Sequence, residues 1–409
     1  MPRFDPFPGL RYSPSVDLDS VIAPPYDVIG DEERAALAAR SPHNAVRVEL
    51  PVDEGDGDRY QVAARLLREW QQAGALVADE EPSFYLYRMG YRDQHGQPRQ
   101  TSGVIGAMEL SVPGEGDVLP HEHTTPRAKS DRLRLLETTR CNLSPIWCLS
   151  MAKGLAALSE PNGPPVARCT DDDGVHHRLW RVTAPAVIGA ISDLVASAPA
   201  VIADGHHRYE TALAYRDASR REEGEGARAH DLTMALMVEL TESELSVQAI
   251  HRLLTGLPAG LDVVDSLSPW FEPGGLLDGG LLEGGLLEGM ERAGALGLLL
   301  GDGSRMLLRP RPGSFPEDLP DLDASRFDFA RAGILDHEIV YQHDPAAIGR
   351  RVLVDGGTSV GVLLRPATVA QISATAERRD RMPPKTTYFT PKPRTGMVFR
   401  SVDRGTPPL

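Results

Sequence analysis

The chain has 409 residues, 41% hydrophobic and 25% charged, and 43 basic against 58 acidic side chains give a formal charge of -15. That acidity argues against nucleic acid or an anionic membrane as the main partner, and an anionic ligand needs a local basic pocket. At ~150 residues per domain the length predicts two or three cores rather than one.

Elements follow from pattern in chain order. The opening 30 residues are rich in proline and should run extended. "DEERAALAAR" reads as a helix capped near Gly30 or Asp31, carrying acids in its first turn and ending before Ser41-Pro42. "NAVRVELP" alternates like a short strand, and "RYQVAARLLREWQQAGAL" has helical spacing that stops near Gly74. "SFYLYRMGYRD" and "RQTSGVIGAMEL" flank a polar turn as a hairpin does. A helix is predicted over 126–139, strands at "PIWCLS", "VHHRLWRV", "PAVIA" and "LTMALMVEL", and helices at "APAVIGAISDLVASA" and "HHRYETALAYRDASRRE". This alternation predicts a mixed α/β, or α+β, architecture.

Further on, "GGLLDGGLLEGGLLEGM" is a five-residue duplication expected to form a poor helix at the surface, since each interior glycine costs about 1 kcal/mol against alanine. "ALGLLLGDGSRMLLRPRPG" reads as a hairpin about Gly301–Gly303. The prolines of "RMPPKTTYFTPKPRTGMVFR" preclude a helix there, and its cations make either a solvated edge or a ligand-facing loop. Cys141, Cys148 and Cys169 have neither zinc nor disulfide spacing, so buried thiols are expected. With no secretory leader pattern and no apolar run near the ~18 residues of a membrane span, a cytoplasmic protein is expected.

The stretch "VIADGHHRYETALAY", Val201 to Tyr215, concentrates the chemistry. An apolar strand entering an Asp-Gly turn and leaving as a helix presents a helix N-terminus, which carries roughly half a positive charge and favours phosphate. Gly205 lets a ligand approach the backbone, Arg208 offers a planar fork for phosphate oxygens, and His206 and His207 can donate or shuttle protons. Asp204 could cap the helix, hold a histidine tautomer or bind magnesium. A second "HHR", His176 to Arg178, lacks the turn and the helix and should be structural.

"ADGHHRYETAL" resembles the signature of a bacterial and archaeal domain-of-unknown-function family. "PPYDVI", "HEHTTPRAKSDRLRLLETTRCNLSPIW", "MVEL", "IHRLL" and "MPPKTTYFTPKPRTGMV" resemble its other blocks, in order, over nearly the whole chain. "DGHHR" is in turn similar to the phosphate-binding turn of the ParB/sulfiredoxin superfamily, which includes free serine kinases. The resemblance implies a ParB/sulfiredoxin-like nucleotide-binding core in residues 1–255 and an additional α/β region in 256–409. It also implies that Gly205, His206, His207 and Arg208 contact the phosphates of ATP or ADP.

Elsewhere, His121 and His123 could share a metal ion. With the resemblance, their block looks like a second polar wall, with Glu122 for proton transfer and Arg127, Lys129 and Arg132 for anions. Tyr26 and Asp27 follow two rigid prolines and present side chains or only pin a turn, Lys385 and Lys392 could close over phosphates, and Tyr388 and Phe389 could pack on a base or simply on the core. Asp204 or Glu122 would hold Mg2+, and Glu122, Asp27 or Asp204 would be the base. No Walker loop, dinucleotide fingerprint or nucleophile elbow is present. The expected activity is nucleotide-dependent phosphoryl transfer to or from a small hydroxylated metabolite such as serine. A nucleotide-binding switch, or a metal-dependent phosphoesterase using His121, His123, Asp204 and His206, is the alternative.

Overall fold

The computed structural model describes residues 1–55, 57–93, 96–120, 129–223, 228–276 and 285–403, with the backbone alone of Lys129, Ser130, Glu223 and Leu276. The chain forms two compact units, Met1–Ser246 with Pro391–Leu409, and Val247–Thr390. These differ from the regions 1–255 and 256–409 in that residues 247–255 fall in the second unit and the segment from Pro391 belongs with the first.

Among the described residues the first unit is built on a nine-stranded sheet. Its main path runs Val118–Pro120, Ala200–Asp204, Ile146–Ser150, Leu232–Glu239, Pro98–Glu109, Phe84–Arg92, His176–Val182 and Ala167–Thr170, with Phe4–Asp5 pairing on Pro98–Glu109. Two neighbouring pairs are parallel, Ala200–Asp204 with Val118–Pro120 and Leu232–Glu239 with Ile146–Ser150, so the sheet is mixed. Helices Pro185–Val195 and His206–Glu223 contribute Ile191, Val195, Tyr209 and Ala212 to a core shared with Ile146, Cys148, Ile202 and Met237 of the strands. The chain is thus mixed α/β; the helix expected over 126–139 is described from Lys129 to Thr139, and the opening stretch expected to run extended includes the helical turns Leu18–Val21 and Tyr26–Val28.

"VRVE" does not form the expected strand. Val46–Glu49 is a single helical turn, because the Asn44 side chain accepts a hydrogen bond from the Val46 N–H (2.9 Å) and donates to the Ser20 and Ile22 carbonyls. Such local side-chain bonding turns the backbone before any strand partner is met. The turn delivers Glu49 into the interior at 3% exposure.

Of the two readings of the basic stretch, a solvated edge does not hold for the described part after Pro391. Thr395 and Ala23 exchange backbone hydrogen bonds, as do Phe399 and Leu10. Met397, Val398, Phe399 and Val402 are buried, and the Arg400 guanidinium donates to the Ala229 and Leu232 carbonyls.

Among the described residues of the second unit, one sheet has six antiparallel strands in the order Phe271–Leu276, Arg305–Pro310, Leu296–Leu299, Val360–Leu363, His251–Thr255 and Glu338–Gln342. The expected hairpin about Gly301–Gly303 joins two of them. The last copy of the glycine-leucine duplication departs from expectation and forms helix Leu286–Ala293. Leu286 and Met290, one turn apart, are buried, and Gly294 at φ 61 ends the helix. Residues 277–284 of the duplication lie outside the described residues. No helix among those described is long and apolar enough to cross a membrane.

Candidate functional site

Strand Ala200–Asp204 is apolar on both faces because it lies inside the sheet, with Val201 and Ile202 fully buried. Its pairing with Ile146–Ser150 slips between Ile202 and Asp204. An irregularity of this kind re-aims the side chain that follows it. Gly205 then adopts φ 89, in the left-handed region where glycine carries no Cβ penalty. A Cβ there would lie 2.9 Å from Arg208 Nε, so Gly205 also makes room for that guanidinium. The helix begins at His206, and Tyr209 N–H bonds to the Gly205 carbonyl (2.9 Å).

Two cations grip Asp204. Arg208 Nη2 donates to Oδ2 (2.6 Å), and Lys392 Nζ, from the returning C-terminal segment, donates to Oδ1. All three side chains are mostly buried, at 14% exposure for Asp204, 11% for Arg208 and 10% for Lys392. Burial alone would push the Asp204 carboxyl up, but Lys392 and Arg208 outweigh it and hold the carboxyl well below the usual range. Arg208 Nη1 donates to the Pro145 carbonyl (2.5 Å) and to Ser144 Oγ (3.3 Å), which fixes the fork. Burial lowers the Arg208 pKa, and Asp204, then Asp27, Tyr26 and Glu49, raise it more, so it stays cationic. Two cations and a helix N-terminus thus face one carboxylate at this turn.

The remaining predicted residues divide. His206 and His207 lie partly buried on the helix's first turn, and His206 acts electrostatically on Asp204. Tyr26 and Asp27 lie in the short helical turn Tyr26–Val28, within electrostatic reach of Arg208. Burial pushes the Tyr26 hydroxyl up to about 12. Arg132 is buried, donates to Asp131 and to the Glu49 carbonyl, and lies over the Tyr26 ring at 4.6 Å. Its donors are thus largely committed to the protein. Lys385 belongs to the second unit, where its carbonyl accepts from Arg252 (2.9 Å). In the same unit Tyr388 stacks on His343 at 4.7 Å and Phe389 is buried. His121, Glu122, His123 and Arg127 lie outside the described residues, and Lys129 is described only as the first residue of helix Lys129–Thr139.

Sequence reasoning missed Glu49 and Ser144. Ser144 Oγ donates to Glu49 Oε1 (3.2 Å) while receiving from Arg208, so a buried acid is wired to the turn. No sequence motif marks Glu49, since its neighbours look like a strand and its hydrogen-bond partner is 95 residues away.

Magnesium can be tested on these atoms. Lys392 occupies one oxygen of Asp204 and Arg208 the other, so Asp204 does not fit the role of metal ligand in this arrangement. Among the described residues no group of three His, Cys, Asp or Glu is placed to hold a metal ion.

The second "HHR" has a different setting. His177 is fully buried, with Nε2 2.8 Å from Asp171 and Nδ1 2.7 Å from the Tyr87 hydroxyl. Arg394 Nε donates to the same Asp171 (2.7 Å). Burial lowers the His177 pKa despite Asp171. The three cysteines are buried thiols, and burial pushes Cys141 and Cys169 up to about 12.

Residues 4–325 match the family described as "Protein of unknown function (DUF1015)", so the chain belongs to that family. No curated protein matches it. Among solved structures it is similar to a mutant free serine kinase in complex with AMP, at 11% identity and TM-score 0.35, over 67% of this chain and 84% of that one. A second mutant free serine kinase, in complex with ADP, matches at 12% identity and TM-score 0.35 over the same shares, 67% and 84%. SbnI with a C-terminal truncation, from Staphylococcus aureus, matches at 13% identity and TM-score 0.37, over 72% of this chain and 86% of that one. At these scores the turn's own geometry has to carry its chemistry.

Proposed function

We propose that this member of the DUF1015 family is a nucleotide-dependent phosphotransferase that seats the phosphates of ATP or ADP on the Gly205–Arg208 turn. The observation that carries the reading is the Asp204 carboxylate held between Arg208 and Lys392 at a helix N-terminus. A phosphate entering there meets the helix dipole and two cations already fixed in place, and phosphoryl transfer asks mainly for such positioning and charge neutralisation. Gly205 admits the phosphate to the backbone, His206 and His207 donate to its oxygens or carry protons, and Arg208 and Lys392 neutralise it. Arg127 and Lys129 complete the set of cations we assign to nucleotide binding.

In the forward direction the acceptor hydroxyl forms a bond to the terminal phosphorus as the bond to the leaving diphosphate breaks, and the hydroxyl proton passes to a carboxylate. Asp204 is a poor proton acceptor because two cations hold it ionised. That leaves Asp27, with Glu122 as the other acid we assign. Serine is our first choice of acceptor, and the reverse reaction would take phosphate from phosphoserine to a nucleoside diphosphate. No step is routed through a metal on Asp204, and magnesium would enter with the nucleotide as part of the substrate.

Phosphorus NMR of the full chain tests this, with magnesium, ATP and L-serine in one sample and O-phosphoserine with ADP in another. A new phosphoserine resonance, or its loss as ATP appears, is expected. Nucleotide resonances that shift without product would overturn the transfer and leave a binding switch, and resonances unmoved by the protein would overturn the nucleotide site as well.

A further inference from the structure

Helix Leu286–Ala293, the last copy of the glycine-leucine duplication, buries Leu286 and Met290 and leaves Glu291 exposed. Gly294 ends it, and a Cβ there would lie 3.5 Å from Arg365 Nη1, so the end of the helix rests against that guanidinium. Beside them, wholly within the second unit, is a cleft of about 360 Å³, lined by the charged Glu291, Asp321, Asp323 and Arg365 and the apolar Leu322 and Leu364. Its volume is at the small end of the roughly 300–1,000 Å³ of ligand pockets.

Most polar groups of the lining are already bonded to one another. Asp323, 3% exposed, accepts from Arg365 Nε (2.9 Å), Nη2 (2.6 Å) and backbone N–H (2.9 Å). At the start of helix Val369–Glu377, the Gln371 N–H donates to Thr368 Oγ1 (3.2 Å) and the Thr368 N–H to Gln371 Oε1 (2.9 Å). Thr386 Oγ1 donates to the Pro383 carbonyl (2.7 Å). Three charged groups keep capacity for a ligand. Asp323 grips Arg365 by its side edge, so Nη1 and the outer proton of Nη2 form a second fork that bonds to nothing among the described residues, on a side chain 29% exposed. The Glu291 carboxylate makes no hydrogen bond or ion pair with any described residue. Asp321 gives one oxygen to Arg326 (2.7 Å) and lies within electrostatic reach of Arg365.

We infer that this cleft binds an aliphatic α-amino acid, with the carboxylate on the open fork of Arg365, the ammonium toward Glu291 and Asp321, and the side chain over Leu322 and Leu364. A guanidinium already fixed by a buried carboxylate loses little freedom on receiving a second one, and its planar fork matches a carboxylate's two oxygens. The acids on the rim repel a phosphate ester and attract an ammonium, which selects a zwitterion over a plain anion. A bare amine would leave the fork empty. The site is independent of the nucleotide reading of the Gly205–Arg208 turn.

Calorimetric titration of the full chain with L-leucine tests the cleft, beside 4-methylpentanoate, which lacks the ammonium, and 3-methylbutylamine, which lacks the carboxylate. L-leucine should bind at least about tenfold more tightly than the amine, because the fork is fixed and charge-assisted, and at least about threefold more tightly than the carboxylate, because the acids are exposed. Arg365→Lys keeps a cation beside Asp323 but offers no second fork, and should weaken leucine at least about tenfold. Glu291→Gln should weaken leucine at least about threefold while 4-methylpentanoate affinity holds. Glu291 is exposed, so its variant decides the matter even if a thermal melt shows Arg365→Lys unfolded. Equal affinity for the three compounds, wild-type leucine affinity in the folded variants, or no leucine binding would overturn the site.

Discussion

The chain contains the tripeptide His-His-Arg twice, and the two copies end in opposite circumstances. At His176–Arg178 the backbone is a strand, so alternate side chains part company. His177 goes into the interior against Asp171 and Tyr87, while His176 and Arg178 face outward. At His206–Arg208 the backbone is the first turn of a helix, and Arg208 falls one turn from Asp204 and pairs with it. Both copies therefore find an aspartate, and both aspartates are held well below the usual range, against their own burial, by the groups around them. In the strand copy the aspartate binds the C-terminal segment through Arg394. In the helix copy it lies beside a left-handed glycine at a helix N-terminus, where we place the phosphates. Residue types alone did not decide the role. Backbone setting did.

The largest expected effect separates the copies by stability. Asp171→Asn removes the charge that Arg394 and His177 share in a pair whose side chains are 9% and 5% exposed at Arg394 and Asp171, and should cost about 3–5 kcal/mol in urea unfolding. ATP affinity of the folded variant should hold, and a parallel loss would break the contrast. Arg208→Lys keeps a charge beside Asp204 but cannot also hold Pro145 and Ser144 with a fork. ATP should then bind at least tenfold more weakly by calorimetry, about 1.4 kcal/mol, and an unchanged affinity would remove the helix copy from the nucleotide site. The smallest effect is in pH. The folded-state pKa of His177 is depressed, so its contribution to stability is present above its unfolded value of about 6.5 and is lost as pH falls towards the folded value. His177→Gln should flatten that part of the stability profile, and an identical slope in the variant would show the histidine is not held neutral.

Sequence made the turn legible because each signal there is local: an apolar run, Asp-Gly, then strong helix formers within 15 residues. The hairpin 84–109 was legible for the same reason. Glu49 was not, since its burial depends on Asn44 bending the chain and on Ser144 reaching it from a distant strand connection. Lys392 could be named as a cation for phosphate, but its place on Asp204 depends on the pairing of Thr395 with Ala23 and of Phe399 with Leu10, contacts between opposite ends of the chain. Likewise, the glycine-leucine repeat promised little helix by propensity, and burial of Leu286 and Met290 overrode it.

The return of the chain at Pro391 also sets an order of events during synthesis. Residues emerge from the ribosome N-terminus first, at roughly 5–20 per second, and the whole second unit is made between Asp204 and Lys392. A nascent chain can therefore close Arg208 onto Asp204 early, while the second cation arrives only after every residue of Val247–Thr390 has been translated. Prematurely terminated products of this chain would carry the turn with a single cation, so full charge at the site is reserved for chains whose translation has run past Lys392.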